Sequence, residues 1–272
     1  MKALWRAALA AAISLAPLPA LAAGAADAAS LRLAAAVAAH RGAPFLAGVE
    51  MRLEKGWKTY WKNPGDSGIA PVFDWSASEN VGDIHLSWPA PRRFDDPGDV
   101  TFGYKDEVIW PLRVTPVDAA LPVTLRLAMT YGVCSDSICI PREADLALVV
   151  RPAGEGAAAE PSADLPPLVA ALSRLPRPFD DPQAVTVAWR EAAAPLLEIE
   201  LTGCAPGCQP PQLIVDGPEG IWFGRPVIRR EGAVLRYSVE VGALSASMLE
   251  GERLGFLFIT PGDARIAWKV MP

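Results

Sequence analysis

The stretch from residue 123 to residue 133 alternates between apolar and polar side chains and is the clearest strand signal in the chain. Every second residue is apolar, and the positions between them include Thr124, Arg126 and Thr130. This period of two places one face of a strand on a core and the other toward solvent. Residues 144–150 alternate in the same way after a short interval. The two stretches therefore predict neighbouring strands joined by a short connection.

Shorter strand patterns recur on both sides of this pair, and the chain holds 27 Pro and 22 Gly to form turns between them. Many short strands with frequent turns favour an antiparallel sandwich. We predict an all-β chain with one sandwich over residues 30–150 and a second, smaller β-sandwich over residues 183–272. A Pro/Ala-rich linker, residues 151–182, joins them and contains one short helix near residues 165–175.

The first 22 residues have the pattern of a cleaved secretory signal. Lys2 and Arg6 precede an apolar run, and the small residues Ala20 and Ala22 frame a cleavage site after Ala22. The run is shorter than the roughly 20 residues that a membrane-spanning helix needs. We predict export to the periplasm. Disulfides persist in such an oxidising compartment.

The net charge of −6 gives no electrostatic support for a nucleic-acid partner. Neither a haem-attachment motif nor a phosphate-binding glycine loop occurs in the sequence, so we expect no cofactor. His40 and His85 lie far apart, and each is interpreted as a structural residue. No metal site is predicted.

Cys134 and Cys139 lie between the two clearest strands, with four residues separating them. Cysteines that flank such a loop would face each other at Cα distances of roughly 4.5–5.5 Å, which permits a disulfide. Closing so short a loop stabilises a fold by only roughly 2 kcal/mol, so a structural staple gains little. Asp136 and the absence of a nearby Lys or His do not favour a strongly lowered thiol pKa. Spacing alone leaves exchange chemistry and a staple equally open.

Cys204 and Cys208 form a second close pair, around a Pro-Gly turn in the second half. A local disulfide is the simplest interpretation. A second redox relay and a soft-metal site for Cu(I) are the alternatives, since thiolates favour such ions.

Several segments together resemble the periplasmic N-terminal (alpha) domain of the DsbD and ScsB thiol–disulfide reductases, most closely the ScsB type. They are residues 56–68 (GWKTYWKNPGDSG), 73–75 (FDW), 88–91 (WPAP), 102–107 (FGYKDE) and 134–141 (CSDSICIP). The resemblance is strong over residues 30–150 and weak in the second half.

This resemblance implies an immunoglobulin-like sandwich with a redox-active disulfide. It implies that Cys139 exchanges with partners, that Cys134 resolves the mixed disulfide, and that the aromatics Phe102 and Tyr104 shield the pair. Electrons would come from a thioredoxin-like donor or a membrane electron carrier and pass to exported disulfide-containing proteins. Trp57, Tyr60 and Trp61 are candidates for a partner-docking surface, although packing in the core is the competing interpretation of the tryptophans.

The sequence departs from the family in two respects. DsbD and ScsB continue into a membrane carrier and a thioredoxin-like domain, so we expect these parts to be separate proteins here. Val100 and Thr101 stand where DsbD has carboxylates, with Asp99 one position away. The second hypothesis is therefore a non-catalytic binding module, for partner docking or copper handling, in which both disulfides are structural.

Overall fold

A computed structural model describes residues 28–96, 98–154, 160–190, 195–205, 207–218, 220–242 and 248–271. The predicted signal, residues 1–22, lies outside the described residues. Within them, no helix is both long enough and apolar enough to span a bilayer.

Two sheets form the first sandwich, and almost all their neighbouring strands are antiparallel. The strands are β1 (Ala29–Ala35), β2 (Ala39–His40), β3 (Phe45–Leu53), β4 (Lys58–Gly65), β5 (Val72–Asp74), β6 (Val81–Leu86), β7 (Arg92–Asp96), β8 (Asp99–Lys105), β9 (Glu107–Pro116), β10 (Val123–Cys134) and β11 (Cys139–Pro152). One sheet has the order β1-β3-β9-β6, and the other has the order β2-β11-β10-β4-β8-β7, with β5 also paired to β10. The all-β prediction is confirmed.

The hairpin of β10 and β11 is the longest paired unit of the molecule. Its register runs without a shift from Val123 opposite Val150 to Cys134 opposite Cys139. The alternating apolar residues of β10 are buried, as the period of two predicts. Gly132 allows another segment to approach closely, because an added Cβ would lie 2.7 Å from the Cβ of Ile69. Gly132 itself stands opposite Pro141 in this unshifted register.

An aromatic cluster occupies the core between the two sheets. The Trp110 side chain is fully buried. The rings of Phe73, Trp88 and Tyr104 meet it edge to face, with centroids 5.4–6.3 Å away. Such geometry matches the charge distribution of aromatic rings. These aromatics therefore pack in the core of the sandwich, in line with the interpretation of the tryptophans as core residues.

The segment predicted to be a linker packs on the first sandwich. Its helix, α1 (Leu165–Leu172), buries Leu168 against β3, where a Cβ on Gly48 would lie 2.5 Å from the Leu168 side chain. Asp164, just before the helix, accepts a hydrogen bond of 2.8 Å from Arg32. Part of this segment is thus held by apolar and polar contacts.

Two further sheets form the second sandwich. The strands are β12 (Arg177–Pro178), β13 (Val185–Arg190), β14 (Leu196–Leu201), β15 (Gln212–Asp216), β16 (Val227–Glu231), β17 (Val234–Glu240), β18 (Arg253–Thr260) and β19 (Asp263–Val270). Their orders are β12-β19-β18-β15 and β13-β14-β17-β16. A separate buried cluster lies between them, with Tyr237 and Phe256 fully buried.

The two sandwiches touch where β4 ends. Lys62 forms an ion pair with Asp216 of β15. The indole Nε1 of Trp222 donates a 2.7 Å hydrogen bond to Asp66. Ile214 and Leu257 of the second half belong to the buried cluster of the first. Polar and apolar contacts therefore join the halves beside the strand that carries Lys58 and Tyr60.

Candidate redox site

Cys134 and Cys139 close the hairpin of β10 and β11 as a disulfide, with their Cα atoms 4.0 Å apart. They occupy directly opposed positions, so both side chains lie on one face of the sheet. The connection between them is held by a 2.8 Å hydrogen bond from the Ser135 amide to the Ile138 carbonyl. The local pattern that makes the hairpin therefore also brings the sulfurs together.

The two cysteines differ sharply in exposure. Cys134 is 0% exposed, whereas Cys139 is exposed and its neighbour Ile138 is 54% exposed. A protein partner can therefore approach Cys139 more readily than Cys134. This asymmetry suits a pair in which the exposed cysteine forms the mixed disulfide with a partner and the buried cysteine resolves it.

Tyr60 covers the pair from the neighbouring strand. Lys58 of β4 stands opposite Cys134, and Tyr60, two residues further along, lies on the same face. The Tyr60 hydroxyl donates a hydrogen bond of 2.7 Å to Cys134 Sγ and lies 3.5 Å from Cys139 Sγ. One buried phenol therefore contacts both reacting atoms.

Gly68 allows the backbone to lie against the Tyr60 ring. Its φ of +116° is one that glycine adopts without strain, and an added Cβ would lie 2.3 Å from the ring. Gly103 of β8 is paired with Tyr60 in the sheet. The backbone at Gly68 therefore packs directly on the Tyr60 ring, whose hydroxyl lies at the sulfurs.

A charged group lies beside the phenol. The Lys58 ammonium, on a largely buried side chain, donates a 2.6 Å hydrogen bond to Asp96 and a 3.2 Å bond to Thr101. Burial raises the pKa of Tyr60, and the negative charges of Asp96 and Asp99 raise it further. Tyr60 therefore keeps its proton at neutral pH and acts as a hydrogen-bond donor.

The chain is similar to known periplasmic domains. Residues 27–151 match the family described as the N-terminal domain of the thiol:disulfide interchange protein DsbD. The N-terminal periplasmic domain of ScsB from Proteus mirabilis superposes with a TM-score of 0.71 at 26% identity, over 90% of this chain and 94% of that one. Residues 27–151, just under half of the chain, are thus similar to the N-terminal domain of DsbD.

Two other comparisons are weaker. The reduced N-terminal domain of DsbD from Neisseria meningitidis gives a TM-score of 0.27 at 16% identity, over 45% of this chain and 86% of that one. No curated protein matches the chain. The match to the ScsB domain extends over both sandwiches.

The predicted shielding aromatics lie elsewhere in the first sandwich. Phe102 and Tyr104 alternate along β8 with Thr101 and Gly103, so they point to the face opposite the disulfide. Tyr104 is buried in the core, and its hydroxyl donates a 2.9 Å hydrogen bond to the Pro89 carbonyl. Neither aromatic therefore covers the sulfurs in this conformation.

Phe102 instead helps to line a small cavity where the two sandwiches meet, together with Trp222 and Phe223. The β7 residue paired with Thr101 on the disulfide face is Phe94. The ring of Phe94 lies 5.0 Å from the Lys58 ammonium. Phe94 is therefore the aromatic of the β7–β8 hairpin that shares a face with the site.

The three predicted docking residues are distributed differently from expectation. Trp61 is 2% exposed and lies in the core, and Tyr60 is 1% exposed beneath the pair. Only Trp57, which is half-buried, keeps accessible surface. A surface for partners therefore cannot be built from Tyr60 and Trp61, because both side chains are buried.

Lys58 and Phe94 are the site residues that sequence reasoning missed. The alternation of Lys58 with Tyr60 on one strand was a usable signal, because both must then share a face. Nothing local indicated that this face meets Cys134, since β4 and β10 are far apart in sequence. The role of Phe94 depends in the same way on the pairing of β7 with β8.

The second pair, Cys204 and Cys208, is also joined as a disulfide. Cys204 is buried and Cys208 is half-buried. Among the described residues, no group of three or more His, Cys, Asp or Glu is arranged to hold a metal ion.

Proposed function

We propose that Cys134 and Cys139 transfer electrons in the periplasm, from a thioredoxin-like donor or a membrane carrier to exported proteins that contain disulfides. The observation that carries this proposal is the contrast between the exposed Cys139 and the fully buried Cys134, with the Tyr60 hydroxyl on both sulfurs. The similarity of residues 27–151 to the N-terminal domain of DsbD and the signal pattern of residues 1–22 support it.

In the reducing half-reaction, a donor thiolate attacks Cys139 Sγ. A donor–Cys139 disulfide forms while the Cys134–Cys139 bond breaks, and the electron pair of that bond leaves on Cys134 Sγ. The Tyr60 hydroxyl, already 2.7 Å from this sulfur, donates to the developing thiolate. A second donor thiolate then attacks the donor sulfur of the mixed disulfide, releases Cys139 and leaves the donor oxidised.

In the delivering half-reaction, the Cys139 thiolate attacks a disulfide in the recipient. The recipient disulfide breaks, and one of its sulfurs leaves as a thiolate. Cys134 then attacks Cys139 Sγ, restores the intramolecular disulfide and releases the second recipient thiolate. Two electrons pass in total, and solvent supplies the protons that the recipient thiols take up.

Trapping tests this division of labour. The Cys134→Ala variant, with Cys204 and Cys208 both changed to Ser, is mixed with an exported thioredoxin-like protein whose second active-site cysteine is changed to Ser and whose remaining cysteine carries thionitrobenzoate. We expect a stable mixed disulfide through Cys139, because neither protein keeps a resolving sulfur. The matched Cys139→Ala variant should give little adduct, because Cys134 is buried. Absence of a Cys139 adduct would support the alternative of a binding module with structural disulfides.

A further inference from the structure

The guanidinium of Arg230 lies within the loop of the second cysteine pair. Its Nη1 donates to the Cys204 carbonyl at 3.1 Å, and its Nη2 donates to the Cys208 carbonyl at 2.7 Å. The same Nη2 lies 3.4 Å from Cys204 Sγ and 3.5 Å from Cys208 Sγ. One cation therefore contacts both sulfurs of the pair.

This cation has no carboxylate partner among the described residues. The two nearby glutamates, Glu200 and Glu231, both pair with Arg236. Arg230 also acts on Tyr237, where burial raises the pKa to about 12 and the charge of Arg230 opposes part of that rise. The Tyr237 hydroxyl is directed to the Pro211 carbonyl at 2.9 Å. The cysteine loop therefore supplies the hydrogen-bond acceptors of Arg230.

The redox state of the loop decides how much the contact between Arg230 and the sulfurs contributes to its stability. A disulfide sulfur is a neutral and weak acceptor, so a guanidinium gains little from it. A thiolate beside the same guanidinium forms a charge-assisted hydrogen bond, which is about twice as strong as a neutral one. Arg230 therefore stabilises the reduced loop more than the oxidised loop.

We propose that Cys204–Cys208 is a second redox-active disulfide, which accepts electrons from a protein dithiol and in which Arg230 stabilises the thiolate formed on reduction. The half-buried Cys208 is the sulfur that an incoming thiolate attacks. The Cys204–Cys208 bond breaks, and its electron pair leaves on Cys204 Sγ beside Nη2. The second thiol of the reductant, as a thiolate, then displaces Cys208 and closes the reductant's own disulfide.

The surroundings of the two pairs differ in charge. The first pair has a neutral phenol as its hydrogen-bond donor, whereas the second has a guanidinium. A stabilised reduced form makes a pair easier to reduce. The second pair should therefore be reduced at a lower dithiol-to-disulfide ratio than it would be without Arg230.

The test uses the full chain with Cys134→Ser and Cys139→Ser, so that only the second pair can react. The protein is equilibrated with reduced and oxidised dithiothreitol, and the pH midpoint of iodoacetamide alkylation is measured on the reduced form. We expect reduction in the folded protein and an alkylation midpoint below the value of about 8.5 for an ordinary thiol. Because the first pair is absent, the result is independent of its proposed function.

Arg230→Gln should shift the dithiothreitol equilibrium about tenfold toward the disulfide and raise the alkylation midpoint. Arg229→Gln is the matched control, because the adjacent residue of β16 points to the other face, and it should change neither quantity. The proposal is overturned if Arg230→Gln leaves both quantities unchanged. If that variant does not fold, a midpoint at or above 8.5 with Arg230 intact overturns it equally.

Discussion

At the scale of single residues, Tyr60 connects the first pair to the rest of the sandwich. Its hydroxyl contacts both sulfurs, while the backbone at Gly68 lies against its ring. A hydroxyl held in advance loses little freedom when the Cys134 thiolate forms, so its hydrogen bond strengthens without rearrangement. Tyr60 is therefore a positioned donor for the leaving sulfur.

Tyr60→Phe tests this role while keeping the ring. Loss of the donor should shift the equilibrium with glutathione about tenfold toward the Cys134–Cys139 disulfide, because a hydrogen bond to a charged group contributes roughly 1.5–3 kcal/mol. The measurement is the reduced fraction at fixed glutathione ratios, in a chain without the second pair. Tyr131→Phe, on the other face of the same hairpin, is the control. Equal behaviour of the two variants would remove Tyr60 from the mechanism.

At the scale of elements, the hairpin of β10 and β11 was predictable because its evidence is local. The alternation and the spacing of the cysteines set the register, and Cys134 stands opposite Cys139 as expected. The pairing of β4 with β10 was not predictable, because the period of two indicates which residues share a face but not which strands become neighbours. The contact of Tyr60 with the sulfurs depends on that pairing.

The segment predicted to be a linker illustrates the same limit. Its Pro/Ala-rich composition suggested a break between strand-rich regions, and its short helix was expected. The packing of Leu168 over Gly48 depends on a depression in β3 that no local pattern reveals. The position of Phe102, on the face opposite the disulfide, likewise follows from the register of β7 and β8.

Gly132→Ala tests how the loop after β4 is held on the hairpin. The added Cβ would lie 2.7 Å from Ile69, so the loop that confines Tyr60 must shift. We expect a loss of about 1–3 kcal/mol in the free energy of unfolding and faster alkylation of Cys134 in the reduced protein. Gly154→Ala is the control, because nothing lies within 4 Å of its added Cβ. Unchanged urea unfolding and unchanged alkylation would contradict this packing.

At the scale of the whole molecule, the two sandwiches are joined beside the redox site, where Ile214 and Leu257 of the second belong to the buried cluster of the first. The chain has four tyrosines, and burial is the first cause of a raised pKa at each of them: Tyr60, Tyr104, Tyr131 and Tyr237. The first three belong to the first sandwich and the last to the second. Tyrosine ionisation therefore reports on the integrity of both halves.

Alkaline pH should destabilise the fold through these groups. Unfolded tyrosines lose their protons near pH 10, whereas the folded ones keep them to higher pH. Above about pH 10 the folded state therefore binds more protons than the unfolded state, and the free energy of unfolding falls as pH rises. Urea unfolding midpoints from pH 8 to 11 measure the loss of stability, and tyrosinate absorbance over the same range measures the ionisation of the tyrosines. An ordinary tyrosine midpoint near pH 10 in a protein that remains folded would contradict the burial.

The central claim is that a partner thiol attacks Cys139 and releases Cys134. Its most direct measurement is a brief reaction of the oxidised protein with glutathione, quenched with iodoacetamide and mapped by peptide mass spectrometry. The account predicts glutathione on Cys139 and the alkyl group on Cys134, since only Cys139 is exposed. Glutathione on Cys134, or a first pair that resists glutathione while the protein is folded, would contradict it.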